Sequence, residues 1–149
     1  MADSDITIRN QQANFSTADI DRAKTFVYDN EFERGTLINL SGAAKDFPIG
    51  LVLGRDGTTR NLKPVQAAGN DGSQFPVGIL ATDVSALANN GTIEVDICIF
   101  GDVNSANVSV DGSDTLDSEV SDRTIADRIK SDTKGIRLIT IGDQTFADN

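Results

Sequence analysis

Strict alternation of apolar and polar residues distinguishes one segment of the chain from all others. From Thr92 to Phe100, the sequence "TIEVDICIF" places an aliphatic side chain at every second position. Successive side chains of a strand point to opposite faces, so this pattern predicts a strand with one face toward a core. A slip of one residue would carry Glu94 and Asp96 into that core, so the register is strongly specified. The predicted core residues of this strand are Ile93, Val95, Ile97 and Ile99.

A second segment, "FPVGILA", is apolar almost throughout but carries a glycine at its centre. Glycine inside a strand weakens it, and it usually marks a bend or the close approach of another backbone. We therefore expect a central strand in which no side chain fits at Gly78. The predicted core residues of this run are Val77, Gly78, Ile79 and Leu80.

Turn dipeptides separate these runs from shorter apolar ones. Asp56-Gly57, Asp71-Gly72 and Asn90-Gly91 suit positive φ and are strong hairpin signals. The shorter apolar runs between and before them are "GTLINL", "IGLVLG" and "LKPVQA". Residues 35–110 are therefore predicted to be β structure, and an apolar run near the C-terminus, "GIRLITI", predicts one more strand.

One helix is predicted, over about residues 118–131. Ser118 is a suitable N-cap and Glu119 lies in the first turn, where a carboxylate complements the helix dipole. Gly135 follows the segment and is placed to end it. The inward stripe of this helix is predicted to be Val120, Ile125, Ala126 and Ile129.

The chain divides into three zones of different composition. Residues 1–34 are polar and predict an extended arm, with at most a turn or two of helix starting near Thr17. Residues 35–142 form the predicted β-rich domain, and residues 143–149 form a tail. The predicted fold is therefore β-rich α+β, a small curved, barrel-like sheet with one C-terminal helix and a polar N-terminal arm.

Charge and composition narrow the classes of function. The 149 residues carry a formal net charge of −10, and the basic residues are scattered among acids rather than clustered, so nucleic-acid binding is not expected. No apolar run is long enough for a membrane helix and none resembles a secretory signal, so we expect synthesis in a cytoplasm. The single cysteine, Cys98, cannot form an internal disulfide.

The sequence offers no catalytic constellation, metal site or cofactor site. Histidine is absent, which removes the usual general base and the commonest metal ligand. The acidic motif "DGSDTLDSE" resembles a calcium loop, but Leu116 and Asp122 stand where that loop needs glycine and glutamate. Glu94 and Asp96 are the only patterned pair of carboxylates, so a hydrolase that uses carboxylates alone is kept as an alternative. We predict that the protein is not an enzyme.

Three features stand in a fixed order over about residues 35–142. The first two are an apolar segment ending in a turn (Leu37, Ile38, Leu40) and "VGILATDVSA". The third is an alternating strand that ends in "FGDVN" and is followed by a helix and a last strand. In this order of elements the chain resembles the head decoration proteins of lambdoid bacteriophages.

This resemblance implies a structural protein of the virion, made in the host cytoplasm. Such a protein binds the outer surface of the expanded head as homotrimers, with the major capsid protein as partner, and resists the pressure of packaged DNA. It binds neither nucleic acid nor membrane, and its N-terminal arm orders on the capsid by adding a strand. The polar zone up to Arg34 is longer here than in the family. The predicted capsid-contacting residues are Asp5, Ile6, Thr7, Ile8 and Arg9, and a disordered terminus with two incidental isoleucines is the alternative for this segment.

A carbohydrate-binding module, or a spike or fibre-base domain of a virion, is the main alternative. Such a module needs exposed aromatic side chains as a platform for sugars. Aromatic residues make up 5% of this chain, tryptophan is absent and Tyr28 is the only tyrosine, which argues against it.

Overall fold

Ten strands and two α-helices form residues 17–141, the part of the chain that the computed structural model describes. The helices are α1 (Thr17–Thr25) and α2 (Ile125–Asp132), and a 3₁₀ turn covers Ser105–Asn107. The strands are β1 (Phe26–Ile38), β2 (Lys45–Phe47), β3 (Val52–Arg55), β4 (Leu62–Pro64), β5 (Pro76–Leu80), β6 (Val84–Leu87), β7 (Thr92–Asn104), β8 (Glu119–Val120), β9 (Arg123–Thr124) and β10 (Gly135–Ile139).

Five of the strands close into a barrel, in the order β1-β4-β3-β5-β7, with β7 pairing back to β1. The two longest strands make the closure, because β1 and β7 run antiparallel from the pair Phe26–Val103 to the pair Ile38–Thr92. Closing a sheet removes its free edges. The predicted β-rich, barrel-like fold is confirmed.

The length of β7 lets two strands share its other edge. Next to β5, Ile79 pairs with Cys98 and Leu80 with Ile97. Further along, β10 runs parallel to β7 from the pair Gly135–Phe100 to the pair Ile139–Asn104. The final apolar strand that the sequence predicts therefore continues the sheet beyond the barrel.

Apolar side chains pack on both faces of this sheet. Neighbouring residues enter different clusters: Leu53, Leu80 and Ile97 lie in one, whereas Val52, Ile79 and Cys98 lie in the other. The second cluster also contains Ile125 and Ile129 of α2, so this helix covers the outer face. Strands buried on both faces are continuously apolar, which explains "LVLG" and "VGILA".

The predicted core residues differ in burial. Gly78, Ile79, Leu80, Val95 and Ile97 are buried. Val77 and Ile99 are partly buried and pack against the barrel interior. Ile93 does not belong to the core. It is 39% exposed because it lies one residue from the end of the β1–β7 ladder.

The predicted start of the C-terminal helix, at Ser118, is wrong. Residues 119–124 form a hairpin in which Ser121 and Asp122 make the turn at φ of 51° and 66°. Two successive positive φ values define a tight hairpin turn and are incompatible with a helix. The helix α2 starts at Ile125 instead, and Thr124 is its N-cap.

The predicted polar arm is also corrected, since part of it is folded into the barrel. Residues 17–25 form α1, a second helix that the sequence did not clearly predict, and residues 26–34 belong to β1. The polar side chains of β1 are exposed while its backbone pairs with β7. Residues 1–16, with Asp5–Arg9, and residues 142–149 lie outside the described residues. No helix within residues 17–141 is long and apolar enough to cross a membrane.

Candidate functional site

Exposed apolar side chains are concentrated where the described part of the chain begins. Of the seven large apolar residues that are exposed within residues 17–141, four lie between positions 20 and 32. Tyr28 is the most exposed of them, at 67%. Concentrated apolar exposure marks interaction sites on soluble proteins. We call these four residues the α1–β1 surface: Ile20, Val27, Tyr28 and Phe32.

A bulge in β1 shapes this surface. The register between β1 and β7 shifts on both sides of Tyr28 and again between Glu31 and Phe32. Asp29 lies at φ 54°, and Gly101 of β7 lies opposite at φ 106°. A Cβ atom on Gly101 would be 2.6 Å from the Asp29 carbonyl oxygen, so only glycine fits there. Bulges bend a strand and redirect its side chains, here those around Tyr28.

Asn30 holds the bulge on the barrel. Its Nδ2 donates to the carbonyl oxygens of Asp102, at 3.1 Å, and Phe100, at 3.4 Å. The same atom lies 3.6 Å from Sγ of Cys98. Burial raises the pKa of the Cys98 thiol, which donates to Phe100 O at 3.2 Å. Cys98 is therefore packed beneath the surface rather than available to react.

Arg22 fixes α1 against the barrel. Its guanidinium carbon lies 4.4 Å from the centre of the Phe32 ring, a cation–π contact. The Phe32 ring in turn meets Phe26 edge-on, with 5.4 Å between ring centres. Arg22 Nη1 also donates to Ala81 O at 3.4 Å. These contacts hold α1 and the bulged part of β1 as one unit.

The carboxylate pair that the sequence singles out takes part in surface contacts. Asp96 lies 3.8 Å from Nη1 of Arg22 and 3.4 Å from Nε of Arg34. Glu94 Oε1 accepts a hydrogen bond of 2.7 Å from Thr36 Oγ1. The pair is best explained as part of the ionic contacts that hold α1 and β1.

A cavity of about 210 Å³ lies at the other end of β1, lined by residues of β2 and β4 and by Asp71 and Asp111. Two ion pairs line it, Lys45 with Asp111 at 2.6 Å and Lys63 with Asp71. The contact with Lys63 and, to a smaller extent, the hydrogen bonds from Ser73 hold the pKa of the Asp71 carboxyl well below its usual range. Because each lysine is already paired with an aspartate, the cavity offers no free charge of either sign from these groups.

Two aspartates of the acidic motif "DGSDTLDSE" make contacts that stabilise the fold. Asp111 pairs with Lys45, and Asp114 Oδ2 accepts a hydrogen bond of 2.8 Å from Ala67 N. Over residues 17–141, no group of three or more candidate ligands is arranged to hold a metal ion.

Sequence reasoning missed the α1–β1 surface because that zone is polar overall. Its signal was the close spacing of three aromatic residues, Phe26, Tyr28 and Phe32, in a chain that has few. Which of them would be exposed depended on pairing with β7, and Phe26 turned inward.

Comparison with known families gives one match. The family described as "Bacteriophage lambda head decoration protein D" matches residues 22–120. This span includes the whole closed barrel and the last four residues of α1, and it ends before α2 and β10. It starts earlier and ends earlier than the stretch of residues 35–142 on which the sequence resemblance rests. No curated protein matches the chain.

Proposed function

Since the chain belongs to the family of the bacteriophage lambda head decoration protein D, we propose that it binds the outer surface of the expanded phage head as a homotrimer. As a family member it is a head decoration protein, a β-rich structural component of the virion. There it would clamp neighbouring subunits of the major capsid protein and stabilise the head against the pressure of packaged DNA. It would be made in the host cytoplasm and join the head from outside.

The proposal rests on one observation, the α1–β1 surface. Ile20, Val27, Tyr28 and Phe32 expose apolar area within a short stretch of the chain, whereas most other large apolar side chains of residues 17–141 are at least partly buried. Aromatic residues in the centre of an interface carry much of its binding energy. Tyr28 is therefore our proposed anchor, with the bulge and Asn30 holding it ready before the partner arrives.

The N-terminal arm would extend this contact. Residues 1–16 lead directly into α1, so an arm bound to the capsid would leave the barrel beside the α1–β1 surface. Asp5–Arg9 alternates Ile6 and Ile8 with polar residues, which suits a strand added to another protein's sheet. We assign these residues a structural role, and we assign no residue of the chain a catalytic one.

Co-sedimentation with expanded, undecorated heads of the phage that encodes the protein tests the proposal. The full chain should bind saturably to expanded heads and not to unexpanded ones. Val27→Ser/Tyr28→Ser should weaken binding, and so should Ile6→Ser/Ile8→Ser if the arm adds a strand. Leu40→Ser is the matched control, since Leu40 is exposed but lies at the opposite end of β1.

Each outcome has a definite meaning. If Val27→Ser/Tyr28→Ser weakens binding and Leu40→Ser does not, the result supports the α1–β1 surface as the capsid-binding site. Cross-linking of bound protein into trimers supports the homotrimer. Absence of binding to both head forms would contradict the proposal, and a positive glycan screen would then favour a carbohydrate-binding module.

A further inference from the structure

One strand of the sheet keeps a free edge. The barrel strands all have partners on both sides, whereas β10 pairs only with β7. Within residues 17–141, no strand pairs with the outer edge of β10. An unpaired edge presents backbone N–H and C=O groups that can pair with another chain.

This edge has neither a bulge nor a proline that would interrupt pairing with another strand. Its register with β7 continues without a bulge over all five residues, and the strand contains no proline. Apolar residues occur on both of its faces, since Ile136 and Ile139 are three positions apart in the strand. Ile129 of helix α2 and Ile136 of β10 belong to the same apolar cluster, so this helix packs against a face of β10. The helix does not cover the edge of the strand.

The segment that carries the edge has the opposite charge from the rest of the chain. Residues 121–141 contain five basic and three acidic residues, whereas the whole chain has a formal charge of −10. The charges closest to the edge are well exposed, with Lys134 at 64% and Arg137 at 68%. Lys134 pairs with Glu31 and Arg137 pairs with Asp102, but both basic side chains keep more than half of their surface exposed beside the edge, and we call this edge the basic strip.

The strip lies beside the α1–β1 surface. Phe100 of β7 pairs with Glu31 of β1 on one side and with Gly135 of β10 on the other. An ion pair of 3.7 Å joins Glu31 to Lys134 across this point. A partner that covers Tyr28 would thus reach the start of β10 with little further extension.

We propose that the outer edge of β10 accepts an extended acidic segment of the major capsid protein as an added strand, an inference that rests on the proposed function. Backbone hydrogen bonds along the edge would provide affinity, as in other cases of strand addition. Lys134 and Arg137 would select acidic side chains. The contact is separate from the N-terminal arm, because here the decoration protein receives a strand and does not donate one.

A second copy of the chain fits this edge less well. Two β10 edges meeting side by side would bring two basic strips together, and like charges on adjacent strands are unfavourable. Apart from β10, the unpaired strand edges of a second copy within residues 17–141 belong to the short two-stranded pairs β2–β6 and β8–β9, whose strands have two to four residues. An acidic segment from a different protein would bring carboxylates to the basic side chains, and its backbone would pair with the unpaired N–H and C=O groups of β10.

Hydrogen exchange of the protein, measured free in solution and bound to expanded heads, tests the inference. In the free protein, the outward amides of residues 135–141 should exchange quickly, and on heads they should become protected by about tenfold or more. The strand β6, at Val84–Leu87, is the internal control, and its exchange should stay the same. Unchanged exchange over residues 135–141 in protein that is bound to heads would overturn the inference.

A charge variant gives a second, independent measurement. Lys134→Gln/Arg137→Gln should weaken head binding by roughly five- to tenfold at low salt, and the difference should shrink as salt is raised. Arg60→Gln/Lys130→Gln removes the same charge from exposed positions off the edge strand and should bind like the wild type. Equal binding of the two double variants would contradict a basic edge that selects an acidic strand. If the wild type itself fails to bind heads, the proposed function fails, which is a distinct result.

Discussion

Gly78 lies where β5 comes too close to β7 for a side chain. A Cβ atom at this position would be 2.7 Å from the Cys98 carbonyl oxygen and 3.0 Å from Cδ1 of Ile97. The carbonyl belongs to a paired strand in the middle of the barrel, so it cannot turn away as a flexible side chain could. The glycine inside the apolar run is therefore required by the close approach of a neighbouring backbone.

We predict that Gly78→Val lowers the free energy of unfolding by about 1–3 kcal/mol, because overpacked cores shift backbone and side chains at such a cost. Urea denaturation, monitored by circular dichroism, measures this change. The stability of Gly78→Ala should lie between that of the wild type and that of Gly78→Val. Ser85→Val, on an exposed position of β6, is the control and should change stability by less than about 0.5 kcal/mol. A midpoint for Gly78→Val equal to that of the wild type would contradict this account.

At the scale of elements, the hairpin β8–β9 decides where α2 begins. The hairpin turn occupies Ser121 and Asp122, so the helix cannot start until Ile125. Thr124 has extended backbone angles, and its Oγ1 accepts a hydrogen bond of 3.1 Å from Asp127 N. This bond satisfies one of the amides that the first turn of a helix leaves unpaired.

We predict that Thr124→Ala destabilises the protein by about 1 kcal/mol, whereas Thr124→Ser keeps the cap and most of the stability. Thermal or urea unfolding distinguishes them. If the helix instead began at Ser118, Thr124 would lie inside it and alanine there would be neutral or stabilising, because alanine is the best helix former. Greater stability in Thr124→Ala would therefore contradict the observed helix start.

At the scale of the whole molecule, Cys98 is placed to report on opening of the barrel. Its side chain is fully buried in the cluster between the sheet and α2. It belongs to β7, which pairs with β1, β5 and β10, so a reagent can reach the thiol only when these elements separate. Burial also raises the pKa of the thiol, which reduces the reactive thiolate in the folded state.

We predict that a thiol reagent labels Cys98 only as fast as the protein unfolds globally. The labelling rate should rise with urea with the same dependence as the unfolding equilibrium. Ser85→Cys adds an exposed thiol as a control, and one equivalent should then react at once while Cys98 remains slow. Immediate labelling of Cys98 in native protein would show that the barrel opens locally without global unfolding.

Strands with buried side chains were easier to predict from the sequence than strands with exposed ones. The start of β7 was predicted because Val95 and Ile97 alternate with polar residues, whereas its last part, Gly101–Asn104, lies beyond the alternation and entered the prediction through the family resemblance. The positive φ of Gly101, which serves the bulge, falls where the alternation ends. Most of β1 was missed altogether, because Val27–Arg34 are largely exposed and their place in the barrel is held by backbone pairing.

The candidate surface shows the same division. The sequence singled out Asp5–Arg9, which lies outside the described residues, and it placed Val27, Tyr28 and Phe32 in a polar arm. Exposure of an aromatic side chain is decided by the strand beside it and by the bulge, and neither leaves a periodic signal. The family resemblance came from residues of the barrel, where local pattern and burial agree.

The sequence by itself determined the β-rich class, the core of the apolar strands, the positions of several turns and the relation to head decoration proteins. These depend on local properties, namely the period of apolar residues and the backbone angles that glycine, asparagine and aspartate tolerate. Only the tertiary structure decided the closure of β1 on β7, the two-sided burial of the sheet, the α1–β1 surface and the free edge of β10. Each of these depends on backbone hydrogen bonds between residues far apart in the chain, and any two strands can form such bonds whatever their side chains.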